Sequence, residues 1–173
     1  LVLTKPVGSG VLFNGCRSGR LPFRELEAVL PQIAALNRTA LETALSYDIH
    51  ACTDITGFGL LGHALEMATA SGVAVDLDFG AVPLYPNVLE MYRKGETTGS
   101  NSANRELLRG HLELKAALSR EEAEALVDPQ TSGGLLFSLP PDQAEELVER
   151  LKTAGVPAAS RVGRVGIEAG QWV

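Results

Sequence analysis

Two cysteines, Cys16 and Cys52, and three histidines, His50, His63 and His111, are all that the chain's 173 residues hold of the softer metal ligands. No CxxC, HxxxH or HxH spacing occurs among them, which argues against structural zinc and leaves nothing to build a disulfide framework. Unpaired thiols suit a reducing compartment, so the expected location is cytoplasmic. Positive charge is also scarce. Fifteen Lys and Arg stand against 21 Asp and Glu, a net charge of -6, without the basic field that holds nucleic acid. Small molecules or proteins are the expected partners. No apolar run approaches the roughly 20 residues of a membrane helix, so no membrane partner is expected. Residues 1–13 are broken by Lys5, Pro6, Gly8, Ser9 and Gly10 and do not read as a secretory signal. The chain does not open on Met, which hints at a fragment.

What is present is 45% apolar and 21% charged residues, enough for one ordinary domain over 1–173 with a real core. Glycine, at 18 residues, exceeds its usual share of roughly 7%. Residues 1–13 alternate loosely and predict an extended segment with a bulge or turn at Gly8-Ser9-Gly10. A loop is expected over 14–21, placing Cys16 in it. Over 22–45 the apolar spacing is helical but interrupted by Pro31, predicting one kinked helix or a short helix before a longer one. A short strand follows at 49–53, then a tight loop and a helix over 57–70, with Gly72 just past its end.

Val73, Val75 and Leu77 alternate with Ala74, Asp76 and Asp78, predicting a half-buried strand with the two acids on its solvated face. A short helix is expected within 83–93, a polar loop over 94–104, and mostly helix over 105–127. Within that stretch Ser119 and Glu122 form a capping box, and the run 120–124 reads as a solvated helix face. Leu135 to Leu139 read as a strand. A helix then opens at Pro140 or Pro141 with Ala144, Leu147, Val148 and Leu151 at helical spacing, closing at Gly155. A last strand is expected over 158–168. Interleaved strands and helices without a repeat predict an α/β or α+β domain, a layered mixed sheet packed by helices.

Gly57-Phe58-Gly59-Leu60-Leu61-Gly62 satisfies the dinucleotide pattern GxGxxG, with Asp76 or Asp78 near the expected offset. An acidic Asp54 just before it would repel a pyrophosphate unless a metal lay between them. Three readings follow: a nicotinamide-dinucleotide site, a strand-to-helix turn with no ligand, or a magnesium-bound polyphosphate site. In the third, Asp54 and the hydroxyls of Thr53 and Thr56 supply hard oxygens and the next helix offers free N–H groups. No GxxxxGK[ST] occurs, so any nucleotide site is of another kind. A second segment, Asp128-Pro129-Gln130-Thr131-Ser132-Gly133-Gly134, reads locally as a helix stop and a turn into a strand. Ser132 lacks a GxSxG elbow.

Together, residues 51–63 and 128–136 closely resemble the two signature stretches of the selenophosphate synthetase (selenide, water dikinase) family. Residues 3–10 resemble the strand entering that family's second half, Leu36-Asn37-Arg38 its Leu-Asn helix, and 99–105 its glycine- and Asn-rich loop. The resemblance implies the C-terminal domain type of the aminoimidazole ribonucleotide synthetase superfamily. It also implies a phosphotransferase, which makes selenophosphate from selenide, ATP and water and releases AMP and phosphate. Asp54 is then the Mg²⁺ ligand, and Thr56, Gly57 and Phe58 neighbour the triphosphate; no catalytic residue is assigned. His63 reads as a structural histidine in preference to a catalytic one.

The reactive Cys or selenocysteine, its Lys and most of the metal-binding aspartates belong to an N-terminal half that nothing here matches. That half is an expected partner, a homodimer is expected of the whole enzyme, and the isolated chain is expected to be silent. Related superfamily enzymes such as a hydrogenase maturation factor, a dinucleotide-binding domain, and a lid or assembly module without chemistry remain alternatives.

Overall fold

Strand positions in this chain follow from how many faces of each short apolar run need cover. In a computed structural model, which describes residues 1–166, the elements are β1 (Val2–Leu3), α1 (Ser9–Arg17), α2 (Phe23–Glu27), α3 (Leu30–Ala34), α4 (Arg38–Ala44), β2 (Ala51–Asp54), α5 (Gly59–Ser71), β3 (Ala74–Leu77), α6 (Val88–Arg93), α7 (Asn101–Leu107), α8 (Arg120–Leu126), β4 (Leu135–Ser138), α9 (Pro141–Thr153), β5 (Ser160–Arg161) and β6 (Gly163–Gly166). The main sheet has the order β2-β4-β1-β5, and its pairs are antiparallel. Leu135, Leu136 and Phe137 form a continuous buried run, so β4 belongs in the interior of the sheet, covered on both faces. β2 alternates half-buried and exposed residues and takes the edge. β3 and β6 form a separate antiparallel pair.

One face of the sheet, through Val2, Leu135 and Phe137, packs on Ala40 and Ala44 of α4 and on Ala144, Leu147, Val148 and Leu151 of α9. The other face, through Leu3, Leu136 and Val162, packs on Leu60, Leu61, Ala64 and Ala68 of α5. A third cluster joins α1, α2, α3 and α6 through Val11, Leu12, Leu26, Ile33, Val88 and Met91. Full burial of each such side chain contributes roughly 1.5–3 kcal/mol. The expected layered sheet with helical cover is therefore present; outside the sheets, an isolated bridge between Val7 and Leu84 is parallel. Among the described residues, no helix is long and apolar enough to cross a membrane.

Several local expectations are corrected. Gly8-Ser9-Gly10 is not a bulge but the start of α1, with Gly8 left-handed at φ 110°. Cys16 accordingly lies in a helix and is half-buried. Residues 22–45 break into three short helices, not one kinked or two. The polar run 94–104 ends inside α7, where Asn101 and Asn104 are buried, and helix is absent between α7 and α8. On β3 it is Ala74 and Val75 that are buried, while Asp76 pairs with Lys115 and Arg164 at 2.9 Å each. The capping box of α8 forms with both of its bonds. The last expected strand is present as β5 and β6, and its final two residues lie outside the described ones.

Candidate functional site

β2 ends at Asp54, and the chain turns through Thr56-Gly57-Phe58 into α5. β4 lies beside β2 and is entered through 128–134, so the two motifs are neighbours by sheet order. The turn is fixed by backbone contacts: Ile55 N–H donates to the Gly134 carbonyl at 2.8 Å, and Gln130 N–H donates to the Thr56 carbonyl at 2.9 Å. Their fit depends on missing side chains. A Cβ on Gly133 would lie 2.1 Å from the Ile55 carbonyl oxygen, and one on Gly59, whose φ is +71°, 2.7 Å from the Val127 backbone. Space at Gly57 is open by the same measure. Two glycines of the GxGxxG pattern thus serve packing, since a Cβ at Gly62 would also strike Phe58 at 2.6 Å.

The dinucleotide alternative does not survive the topology. β2 and β3 lie in different sheets, so the strand–helix–strand unit that would carry Asp76 or Asp78 to a ribose beside the glycine turn is absent.

Asp128 and Gln130 do work that no local pattern reveals. Asp128 is fully buried and accepts the N–H groups of Gly10 and Val11, both at 2.9 Å. Gln130 Oε1 accepts the N–H groups of Gly8 at 3.0 Å and Ser9 at 3.1 Å. The free donors of the first turn of α1 are therefore met by side chains from far along the chain instead of by a local cap. Tyr92 Oη also donates to Asp128, at 2.5 Å, and itself accepts from Asn101 Nδ2 at 3.0 Å. Burial pushes the Asp128 carboxyl up to about 6, against the donated hydrogen bonds that pull it down, and burial beside Asp128 raises the Tyr92 phenol.

Lys5 is buried without a carboxylate. Its ammonium donates to the carbonyls of Ile33 at 3.1 Å, Ala35 at 2.6 Å and Ser132 at 2.8 Å, and burial lowers its pKa. Ser132 adopts a left-handed backbone at φ 52°, held there through its carbonyl.

The residues expected to meet ligand stand on the open side of this frame. Asp54, Gly57 and Phe58 are exposed, Thr56 is half-buried, and Asn104 Nδ2 holds the Gly57 carbonyl at 2.9 Å. Thr56 Oγ1 lies 3.0 Å from His63 Nε2, and His63 Nδ1 lies 2.9 Å from Glu66 Oε2. His63 is therefore satisfied inside the protein, with the Phe58 ring 5.4 Å away. Among the described residues no group of three His, Cys, Asp or Glu could hold a metal. Asp54 is a single exposed carboxylate, and Mg²⁺, which takes one or two carboxylates and keeps water and phosphate for the rest, does not require such a group. A cavity of about 490 Å³ lies elsewhere, lined by Leu61, Arg105, Leu112, Leu118 and Leu126; none of Asp54, Thr56, Gly57 or Phe58 lines it.

The roles of Asn104, Gln130 and Glu66 follow from no local pattern, although Gln130 lies in the second motif, Asn104 in the Asn-rich run, and Glu66 three residues after His63 on one helix face.

Compared with known proteins, residues 7–171 match the family model "AIR synthase related protein, C-terminal domain". A selenide, water dikinase of Pelobacter propionicus is 42% identical over 165 residues, 95% of this chain and 47% of the relative. The chain thus spans about half the length of the curated relatives it matches. Among solved structures, the thiamine monophosphate kinase of Aquifex aeolicus is similar at a TM-score of 0.65 and 18% identity, over 99% of this chain and 48% of that one. A hydrogenase maturation protein HypE in complex with ATP is similar at 0.56 and 18%, over 99% and 45%.

Proposed function

Because the chain belongs to the AIR synthase related proteins through their C-terminal domain, we propose that it forms the C-terminal half of a selenophosphate synthetase. The whole enzyme would turn selenide, ATP and water into selenophosphate, AMP and phosphate. One observation carries this reading: Asp54 is exposed at the head of a turn whose backbone is bonded to the second motif. The fixed backbone presents that carboxylate to something outside the chain from a rigid support.

In this reading Asp54 contributes one hard oxygen to a Mg²⁺ ion, while Thr56, Gly57 and Phe58 flank the polyphosphate. The bound ion would neutralise charge on the phosphates during transfer. Asp54 acts by position and charge, without moving a proton. Gly57 lets the phosphates approach the backbone, since nothing lies within 4 Å of the space a Cβ would fill. Asn104 keeps the Gly57 carbonyl turned inward, away from the phosphates.

One carboxylate on an open surface is an incomplete metal site. The remaining ligands, the selenium-handling group and most of the nucleotide pocket fall to an N-terminal half, and the full enzyme is a homodimer of the cytoplasm. The 18% identity to a hydrogenase maturation protein carries the fold alone, whereas the 42% identity to a dikinase favours selenide chemistry.

Phosphorus NMR of ATP, Mg²⁺ and selenide tests the reading. The 173-residue chain alone consumes no ATP, and the longer polypeptide carrying it releases AMP, orthophosphate and selenophosphate. Turnover by the chain alone, or AMP release by the longer polypeptide that ignores selenide, would contradict it.

A further inference from the structure

Thr56, His63 and Glu66 form a hydrogen-bonded series from the turn into α5. Thr56 Oγ1 and His63 Nε2 are 3.0 Å apart, and His63 Nδ1 and Glu66 Oε2 are 2.9 Å apart. The His63 side chain is 9% exposed and that of Glu66 52%, so the ring is enclosed while its carboxylate reaches solvent.

The direction of these bonds follows from chemistry. An ionised carboxylate only accepts, so Nδ1 carries the hydrogen facing Glu66. A neutral ring then has a bare Nε2, which only accepts, and the Thr56 hydroxyl must donate to it. The single hydroxyl hydrogen is thereby turned inward, and the oxygen lone pairs are left for the exposed side of the turn. Phosphate oxygens are themselves acceptors and gain nothing from such an oxygen. A water bound to a divalent cation is a strong donor and does.

We propose that His63 and Glu66 are positioning residues that hold the Thr56 hydroxyl as an outward acceptor, matched to the water shell of the nucleotide's divalent cation instead of to bare phosphate oxygens. This deepens the reading of Thr56 as ligand-facing and rests on it. The GxGxxG glycines are compatible with the arrangement: Gly62 makes room for Phe58 to fold back beside the His63 ring.

Two measurements decide it. Long-range proton–nitrogen NMR of the nucleotide-free chain should show the neutral His63 ring as the Nδ1–H tautomer with a bare Nε2. The Nε2–H tautomer overturns the proposal, and since no nucleotide is present this outcome leaves the enzymatic reading untouched.

The second measurement is the affinity for ATP with Mg²⁺ and for ATP without metal, in the longer polypeptide. Thr56→Val and His63→Leu should each weaken Mg²⁺·ATP roughly 10-fold, as for one lost hydrogen bond, and weaken metal-free ATP by a clearly smaller factor. The double variant should be no worse than Thr56→Val, because both remove one interaction. His63→Gln should restore affinity, its amide oxygen reaching the Nε2 position, which also guards against loss through misfolding. Additive losses, or equal losses with and without metal, overturn the proposal. Failure of the wild-type protein to bind any ATP instead sinks the enzymatic reading, with the tautomer still deciding the pairing.

Discussion

Ser9 donates two hydrogen bonds to Gln130 across 121 residues of chain: Gln130 Oε1 accepts the Ser9 N–H at 3.1 Å and the Ser9 hydroxyl at 3.1 Å. Next to them, the Thr131 N–H donates back to Ser9 Oγ at 2.9 Å. The segment 128–131 is thus the cap of α1. Replacing Gln130 by Ala should strand two buried N–H groups and lower stability by about 2–3 kcal/mol. Chemical denaturation checks this, and a change under about 0.5 kcal/mol would show that α1 is capped by other means.

Asp128 makes stability depend on pH in an unusual direction. With the folded carboxyl at about 6 against an ordinary value near 3.9, the folded state binds the extra proton between those limits. Stability from this group is therefore full below about pH 4 and falls as pH rises toward 6, by on the order of 2–3 kcal/mol. The difference between wild type and Asp128→Asn should carry that slope, because Asn does not titrate. Parallel pH profiles of the two proteins would refute it.

Gly133 and Gly57 separate packing from ligand approach. Gly133→Ala places a methyl 2.1 Å from the Ile55 carbonyl oxygen, which must force the two motifs apart and should cost at least about 2 kcal/mol. Gly57→Ala meets nothing within 4 Å and should change stability by less than about 1 kcal/mol. In the longer polypeptide the same methyl would crowd the phosphates, so ATP affinity should fall although folding does not. Thermal melts and nucleotide titrations on both variants make the comparison.

The layers of the domain were legible where a pattern is local. The helix of Ala144, Leu147, Val148 and Leu151 and the capping box of Ser119 and Glu122 both form as their spacing predicts. What could not be read was order that depends on distant partners. Ser9 and Gly10 are poor helix formers and become the first turn of α1 only because Asp128 and Gln130 arrive there. Asn101 and Asn104 look like loop residues, yet each is buried against groups supplied from other elements. At the candidate site Asp54 is exposed and the turn after it is bonded to the second motif, a pairing set by sheet order, while GxGxxG by itself also matched a strand–helix–strand topology the chain does not have.

Lys5 offers a test of the inner frame. Its ammonium bonds three carbonyls from α3, the residue after it, and Ser132. Lys5→Met keeps the stem and abandons those carbonyls, which should cost about 2–3 kcal/mol and loosen the turn at Ser132. Faster amide exchange at Gly133 and Gly134 would report that loosening; unchanged exchange with lower stability would place the damage elsewhere.

The central claim concerns Asp54, and selenide-dependent AMP release by the longer polypeptide tests it most directly. The account predicts that Asp54→Ala leaves the melting temperature within a few degrees, since the residue is exposed at the end of an edge strand. Turnover at saturating ATP and Mg²⁺ should fall by roughly 100-fold or more. Full turnover by a folded Asp54→Ala protein would contradict it.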